Sequence, residues 1–167
     1  MGYTLKYKKG QDVNLLFAIV IFLALGIVIV AGFRVVKELN TAVSRMPTAT
    51  QEAKDITQRV ETNYVLWFDI LFLIIFVLVF IALIASAFFI DTHQIFFIIS
   101  MIMVVITGFI GGYIANAYSS FAETPTIQPD ASSFVIIPYI FSHYIAIIVV
   151  VGIVTLIALF AKLRGGG

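Results

Sequence analysis

The sequence has no cysteine, only two histidines and few charged residues, and each shortage excludes a class of protein. Without cysteine the chain forms no disulfide, thiolate metal site or iron–sulfur cluster, and it cannot be S-palmitoylated. Charged residues make up 11% of the 167 residues, whereas a soluble domain carries about 25%. The polar stretches are too short to build a second, soluble domain, so we predict a single membrane domain over residues 1–167.

Motifs of catalysis are missing as well. The sequence contains no glycine-rich phosphate loop, no nucleophile elbow and no pair of catalytic carboxylates. A net charge of +1 gives no electrostatic reason to expect nucleic acid. We therefore predict a protein that is not an enzyme and that has no cofactor and no nucleic-acid partner.

What the sequence does contain is long apolar runs, which raise its hydrophobic share to 62% and its mean hydropathy to +1.11. A transmembrane helix needs about 20 consecutive apolar residues. Four runs reach that length: Val13–Phe33, Ile70–Ile90, Ile95–Ala117 and Phe134–Ala161. The prediction is an all-α fold, a four-span transmembrane helical bundle in a lipid bilayer. Its spans are predicted near residues 13–33, 65–90, 94–117 and 134–161.

Four spans place both chain ends on one side of the bilayer, together with a short turn at residues 91–94. The connection 34–63 and the loop 118–133 then lie on the other side. Lysine and arginine, which mark the cytoplasmic side, are divided equally between the two sides, five to each. Their number therefore does not decide the orientation. The nearly acid-free set beside the chain ends favours a cytoplasmic location for those ends.

The connection 34–63 is charged yet keeps a helical period, with apolar residues mostly three or four positions apart before and after Pro47. We predict that spans one and two continue beyond the bilayer and form an antiparallel helical hairpin with its tip at Met46–Pro47. Apolar stripes of the two helices are predicted to pack against each other, including Leu39, Val43, Met46, Ala53, Ile56 and Val60. The alternative is two amphipathic helices lying flat on the membrane, which the mixture of acidic and basic residues disfavours.

Few polar groups fall inside or beside the spans, and such groups are functional candidates by default. Asp69 is predicted at the membrane interface, where it is hydrated, caps a neighbouring helix, or belongs to a proton or cation site. His143, Tyr139 and Asn116 are predicted in the same leaflet and can join Asp69 in one polar cluster between helices. Hydrogen-bonded packing is favoured over a proton path, because spans one to three offer no acidic or histidine residue in the other leaflet. A metal or haem site is not expected, since His93 and His143 fall near opposite membrane faces.

Small residues, which let helix backbones approach closely, occur in spans two and three. They are Gly108, Gly111, Gly112 and Ala115 in span three, and Ala82 and Ser86 in span two. The spacing of the first and third glycines is the G-x-x-x-G pattern of membrane helix contacts. We predict that these positions pack helices within one chain, and packing between two copies is the alternative.

Two segments carry a resemblance to known proteins: FFIDTHQIFFIIS at residues 88–100 and ANAYSSFAETPTIQPDASSF at residues 115–134. With the surrounding spans, over residues 64–161, they resemble small multi-span membrane proteins of icosahedral viruses of bacteria and archaea. Those viruses carry a lipid membrane inside the capsid. The resemblance implies a virion membrane component that helps to shape or hold the internal vesicle.

Three hypotheses for function follow from these patterns. The first is a non-enzymatic structural membrane protein, most concretely a viral one, whose hairpin or loop contacts capsid or neighbouring membrane proteins. The second is an accessory subunit of a cellular respiratory or transport complex. The third is a small oligomeric channel or holin-like pore, which requires a helix with a continuous polar face, and none of the four runs has one. Each hypothesis leaves a homo-oligomer open.

Overall fold

The computed structural model describes the backbone of residues 5–89 and 94–165 and the side chains of residues 19–85 and 97–161. Within these ranges the protein contains helices and no strand. The helices are α1 Leu5–Arg45, α2 Gln51–Phe89, α3 Gln94–Ala122, α4 Gln128–Ala131, α5 Ile136–Ser142 and α6 Tyr144–Gly165. The all-α prediction is confirmed.

Four of the described helices are long and apolar enough to cross a membrane, over Ile19–Arg45, Gln51–Ala85, Phe97–Ala122 and Tyr144–Ala161. Their outer surfaces carry large apolar side chains, and Phe109, for example, is 78% exposed. Apolar surface this continuous is costly in water and favourable against lipid. The protein is therefore an integral, multi-pass membrane protein, and the four-span prediction is confirmed.

The four long helices pack around one shared core. Helix α1 contacts α2 and α3, and α6 contacts the same two helices from the other side. Leu23, Val30 and Phe72 have no exposed surface at the centre of the bundle. The rings of Phe22 and Phe72 stack there with their centroids 4.2 Å apart, which joins α1 to α2.

Helices α1 and α2 are longer than a bilayer needs. They contain 41 and 39 residues, and at 1.5 Å per residue each is about 60 Å long, roughly twice the hydrocarbon thickness. Helix α1 ends at Arg45, because Met46 precedes Pro47 and that position disfavours helical backbone. Helix α2 begins at Gln51, with the Thr50 hydroxyl accepting a hydrogen bond of 3.2 Å from the Ala53 N–H. The predicted extended hairpin is present, with its tip at Pro47.

The contact inside the hairpin differs from the prediction. Polar side chains join its two helices: Asn40 donates to Glu61, and the Thr57 hydroxyl donates to the Asn40 carbonyl oxygen at 2.9 Å. Val43 and Ala53 are half-buried. The rest of the predicted stripe is exposed, by 56% at Leu39, 50% at Met46, 54% at Ile56 and 49% at Val60. At about 100° per residue, Leu39 lies a quarter turn from Asn40, so the helices meet beside the apolar stripe and not along it.

The fourth apolar run is not one continuous helix. It forms the short α5 and then α6, and the chain breaks between them at His143, with φ −106° and ψ 9°. Pro138 is the third residue of α5, where its missing N–H costs no helical hydrogen bond. The break comes later, where the Ser142 hydroxyl donates to the Tyr139 carbonyl at 3.0 Å and His143 Nδ1 lies 3.0 Å from the same oxygen, which also accepts the His143 backbone N–H at 3.2 Å. Side chains that bond back to a helical carbonyl in this way slightly destabilise a helix and often bend it.

Candidate functional site

Both buried carboxylates of the described residues lie where the segment between α3 and α5 meets the base of the hairpin. This segment, residues 123–135, contains α4 and lies against both α1 and α2. Two carboxylates, Asp69 from α2 and Asp130 from α4, hold it in place, with exposures of 6% and 0%. A buried carboxylate must be compensated by donors or by positive charge, and each of the two is compensated in a different way.

Asp69 caps helix α5 from a neighbouring helix. Its Oδ2 accepts hydrogen bonds from the N–H groups of Val135 and Ile136 at 2.9 and 2.8 Å, and its Oδ1 accepts one from Ile137 at 2.9 Å. Val135, the residue at the start of α5, brings no capping side chain of its own. The first N–H groups of a helix have no partner within it and carry partial positive charge. Asp69 therefore gives the free N–H groups of α5 an acceptor and also places a negative charge at the positive end of the helix dipole. Of the three roles predicted for Asp69, the geometry shows the capping of a neighbouring helix.

Asp130 is held by two basic residues of α1. Its Oδ1 lies 2.8 Å from Lys37 Nζ, and its Oδ2 lies 3.2 Å from Arg34 Nη1. Arg34 also donates to the Thr126 carbonyl at 3.0 Å and to the Glu38 carboxylate at 2.7 Å. The two basic side chains remain 34% and 42% exposed, so their outer ends stay hydrated. Burying the Asp130 carboxylate costs desolvation energy, which offsets much of the attraction to Arg34 and Lys37. The main effect of these ion pairs is therefore to fix the position of α4 against α1.

Sequence reasoning missed this ion-pair cluster. Arg34 and Lys37 are three positions apart, so they lie on one face of α1. Asp130 follows Pro129 and precedes Ala131 in a loop with no basic residue. An acid in a loop without basic residues, together with a helix that has two basic residues on one face, was the available signal. It identifies the pairing only when the loop is known to return to α1.

The predicted polar cluster around Asp69 does not form. Asn116 and His143 are exposed, and Tyr139 is 60% exposed. The rings of Tyr139 and His143 stack on each other with centroids 4.3 Å apart, away from the buried carboxylate. The reason is helical phase: Asn116 follows the buried Ala115 by one residue, which turns it about 100° outward.

A buried hydroxyl lies close to the capped helix. Tyr118 on α3 is 3% exposed, and its ring stacks on Phe141 of α5 with centroids 4.0 Å apart. Among the residues that the structure describes, no group lies within hydrogen-bond distance of its Oη. The ring rather than the hydroxyl therefore holds α3 against α5.

The glycines of α3 at positions 108, 111 and 112 face α6, within the same chain. A Cβ added at Gly111 would overlap the ring and hydroxyl of Tyr144, which is 1% exposed. Added at Gly108 or Gly112, a Cβ would meet Ile148 at 3.8 Å or Ile145 at 3.7 Å, which is ordinary van der Waals contact. Of these three glycines, Gly111 permits the closest approach of α3 to α6. At Gly108 and Gly112, the G-x-x-x-G pair, there is room for a methyl group.

The other predicted packing residues have different surroundings. Ala115 is buried against the core, with 8% of its surface exposed. Ala82 is exposed on the outer side of α2, which corrects its assignment as a packing residue within the chain. The side chain of Ser86 lies outside the described residues. Gly152 of α6, which was not predicted, faces Val104 of α3 so closely that an added Cβ would need this side chain to move.

The projecting hairpin has one apolar side and one polar side. On α1, Val35 and Leu39 each lie two residues from Lys37, and on α2 Trp67 lies two residues from Asp69. Two residues turn a helix by about 200°, so these apolar side chains point away from the segment that Lys37 and Asp69 hold. Residues seven or four positions away lie on the same side of a helix, which adds Met46 to Leu39, Val60 to Trp67, and Ile56 to Val60. We call this surface the apolar face; it consists of Val35, Leu39, Met46, Ile56, Val60 and Trp67, which are 49–70% exposed.

Most of the apolar face lies beyond the hydrocarbon core of the bilayer. Along α1, Leu39 lies between Lys37 and Asn40, and along α2, Val60 lies between Arg59 and Glu61, so both are at the same depth as charged residues. Charged groups at those levels require water or headgroups around the hairpin. The apolar face is therefore apolar surface held in a polar environment, and exposed patches of this kind are typical of protein-binding or membrane-binding sites.

Neither metal-binding groups among the described residues nor similarity to known proteins provides a further guide to function. Within the described ranges, no three histidine or acidic side chains lie close enough together to hold a metal ion. Comparison with protein-family models, with curated proteins and with solved structures found no match to this chain.

Proposed function

We propose that this membrane protein is a non-enzymatic structural component that holds a helical projection at the membrane surface and binds another protein through its apolar face. The observation that carries the proposal is the exposure of that face outside the bilayer, by 56% at Leu39 and 49% at Val60. Removing such residues from water is favourable by about 25 cal/mol per Å² of apolar area, and this gain offsets the entropy lost on association.

The base of the hairpin supports this role. Asp69 and Asp130 fix residues 126–137 against the side of the hairpin opposite the apolar face. Their contacts hold the projection at a set angle to the bundle, so the apolar face is presented in one orientation. A preorganised surface loses less conformational entropy when it binds.

The viral hypothesis gives this role a setting. The resemblance over residues 64–161 supports placing the protein in the internal membrane of a virion, with the hairpin contacting the capsid or neighbouring membrane proteins. Its presence in purified virions tests that setting. Absence from virions together with co-purification in a respiratory or transport complex would favour the accessory-subunit hypothesis instead.

A matched pair of variants tests the role of the apolar face in native membranes. Val60→Glu places a charge on the face, and Gln58→Glu places the same charge two residues away, on the opposite side of α2. After mild solubilisation we expect wild-type protein and Gln58→Glu to migrate as a complex and Val60→Glu to migrate as a monomer. Val60 is half exposed, so the variant folds. A wild-type protein that migrates as a monomer would contradict the proposal.

A further inference from the structure

We propose that the partner on the apolar face is a second copy of this chain, and that two hairpins form a four-helix bundle outside the bilayer. This inference rests on the proposed function, because it identifies what the apolar face binds. It is carried by the symmetry that a membrane imposes and by the charges along the two edges of the face.

The bilayer restricts how two copies can pair. Both copies insert with the same orientation, so the axis that relates them is perpendicular to the membrane. A two-fold axis of this kind, in front of the two apolar faces, places α1 of each copy beside α2 of its partner at the same height. The contact is isologous, so each residue pair occurs twice.

Heights along the hairpin follow from contacts within one chain. Phe33 lies against Tyr64, with centroids 5.7 Å apart, and Asn40 is hydrogen-bonded to Thr57. Because α1 and α2 are antiparallel, moving seven residues forward along α1, from Phe33 to Asn40, corresponds to moving seven residues backward along α2, from Tyr64 to Thr57. Leu39 is therefore level with the stretch between Ile56 and Val60, and in the dimer it packs against these two residues of the other copy.

The charges at the two edges of the apolar face are complementary under this symmetry. Along the outer edge of α1 stand Glu38 and, seven residues later, Arg45. Along the outer edge of α2 stand Arg59 and Glu52, in the reverse order. By the same matching of heights, Glu38 is level with Arg59 and Arg45 is level with Glu52. Each edge acid of one copy thus meets an edge base of the other, as in the paired flanks of a coiled coil.

The same charges oppose other arrangements of two copies. If two hairpins met along their α1 edges, Glu38 would face Glu38 and Arg45 would face Arg45. Meeting along the α2 edges would bring Arg59 to Arg59 and Glu52 to Glu52. Like charges directly opposite each other are destabilising, so the pattern favours face-to-face pairing of α1 with α2.

Cysteine cross-linking tests the inference directly, because the native chain has no cysteine. Chains carrying Leu39→Cys and chains carrying Val60→Cys, with different tags, are co-expressed and oxidised in their membranes. We expect a disulfide-linked dimer that contains both tags. The matched control pairs Thr41→Cys with Gln58→Cys, at the same height on the opposite side of the hairpin, and should give no dimer.

Charge exchange gives a second measurement, which needs no new covalent bond. Arg45→Glu alone places two acids opposite each other in both symmetric contacts, and we expect dimer formation to weaken by about fivefold for exposed pairs. The double variant Arg45→Glu with Glu52→Arg restores opposite charges and should recover wild-type dimer formation. Failure of the double variant to recover would overturn the predicted pairing.

The outcomes separate this inference from the proposed function. If the Leu39→Cys and Val60→Cys chains formed no bond with each other but each linked to a different membrane or capsid protein, the second copy would be excluded and the structural role would remain. If the face formed no cross-link in native membranes, and a water-soluble maleimide labelled both introduced thiols fully, both proposals would fail.

Discussion

Replacing Asp69 by alanine is the most direct test of how this protein holds its second half in place. The carboxylate is 6% exposed and accepts hydrogen bonds of 2.8–2.9 Å from three consecutive N–H groups, those of Val135, Ile136 and Ile137. Alanine removes the acceptor and leaves these donors without a partner. The space left by the side chain is buried between helices, so solvent water does not readily replace the lost acceptor.

The size of the effect follows from the capping geometry. Loss of an N-cap side chain costs about 0.5–2 kcal/mol, and a buried donor left unsatisfied costs about 1–3 kcal/mol. These contributions overlap, so we expect Asp69→Ala to lower the free energy of unfolding by on the order of 2–4 kcal/mol. Asp69→Asn should lie between alanine and wild type, because an amide offers one oxygen to three donors and turns its NH₂ toward the rest.

Equilibrium unfolding in mild detergent measures the global effect, and amide hydrogen exchange at residues 135–137 measures the local one. Exchange there should accelerate in Asp69→Ala before the rest of the bundle responds. Glu123→Gln, which changes an exposed carboxylate in the same connecting region, is the control and should change neither measurement. Unchanged stability within about 0.5 kcal/mol, with unchanged exchange, would refute the capping role.

Three further substitutions test other contacts. Gly111→Ala should lower stability by about 1–3 kcal/mol because its methyl group overlaps buried Tyr144, whereas Gly112→Ala, with 3.7 Å to Ile145, should be close to neutral; thermal unfolding compares them directly. Asp130→Ala should release the 123–135 segment from Arg34 and Lys37 and speed its cleavage by added protease severalfold, and an unchanged cleavage rate would exclude the ion-pair cluster as its support. Tyr118→Phe removes a buried hydroxyl without a partner in the described residues, so its unfolding free energy should equal or exceed that of wild type, and a clear loss would indicate a hydrogen bond to water.

The sequence was sufficient to predict the spans and the hairpin because both depend on average properties of long segments. Twenty apolar residues cross a bilayer whatever their order, and a proline after a long helical pattern, such as Pro47, disfavours helical backbone at the residue before it. The break at His143 is instead a local feature, at a turn where two side chains also reach the Tyr139 carbonyl. Hydropathy does not contain that information, so one long span was predicted where the structure has two helices.

The contacts of the site depend on which side of each helix faces its neighbour and on where a distant loop packs. The spacing of apolar residues along the sequence defines neither of these well. The spacing of Leu39, Val43 and Met46 correctly indicates one stripe of α1, yet a stripe does not state whether it packs inside the hairpin or outside it. Asn40 lies a quarter turn away and forms the contact. Likewise, nothing local to Asp130 shows that Arg34 will be its partner, because they are 96 residues apart.

The separation of these partners along the chain has a consequence for the order of assembly during synthesis. Asp69 is made 66 residues before Val135, and Arg34 is made 96 residues before Asp130. Chains emerge from the ribosome amino-terminal end first, so α1 and α2 can enter the membrane and pair while the carboxylate of Asp69 stays at the hydrated surface. Both acids become buried only after residues 130–137 emerge, so this segment closes against α1 and α2 after both of these helices have been made, while α6 is still to follow.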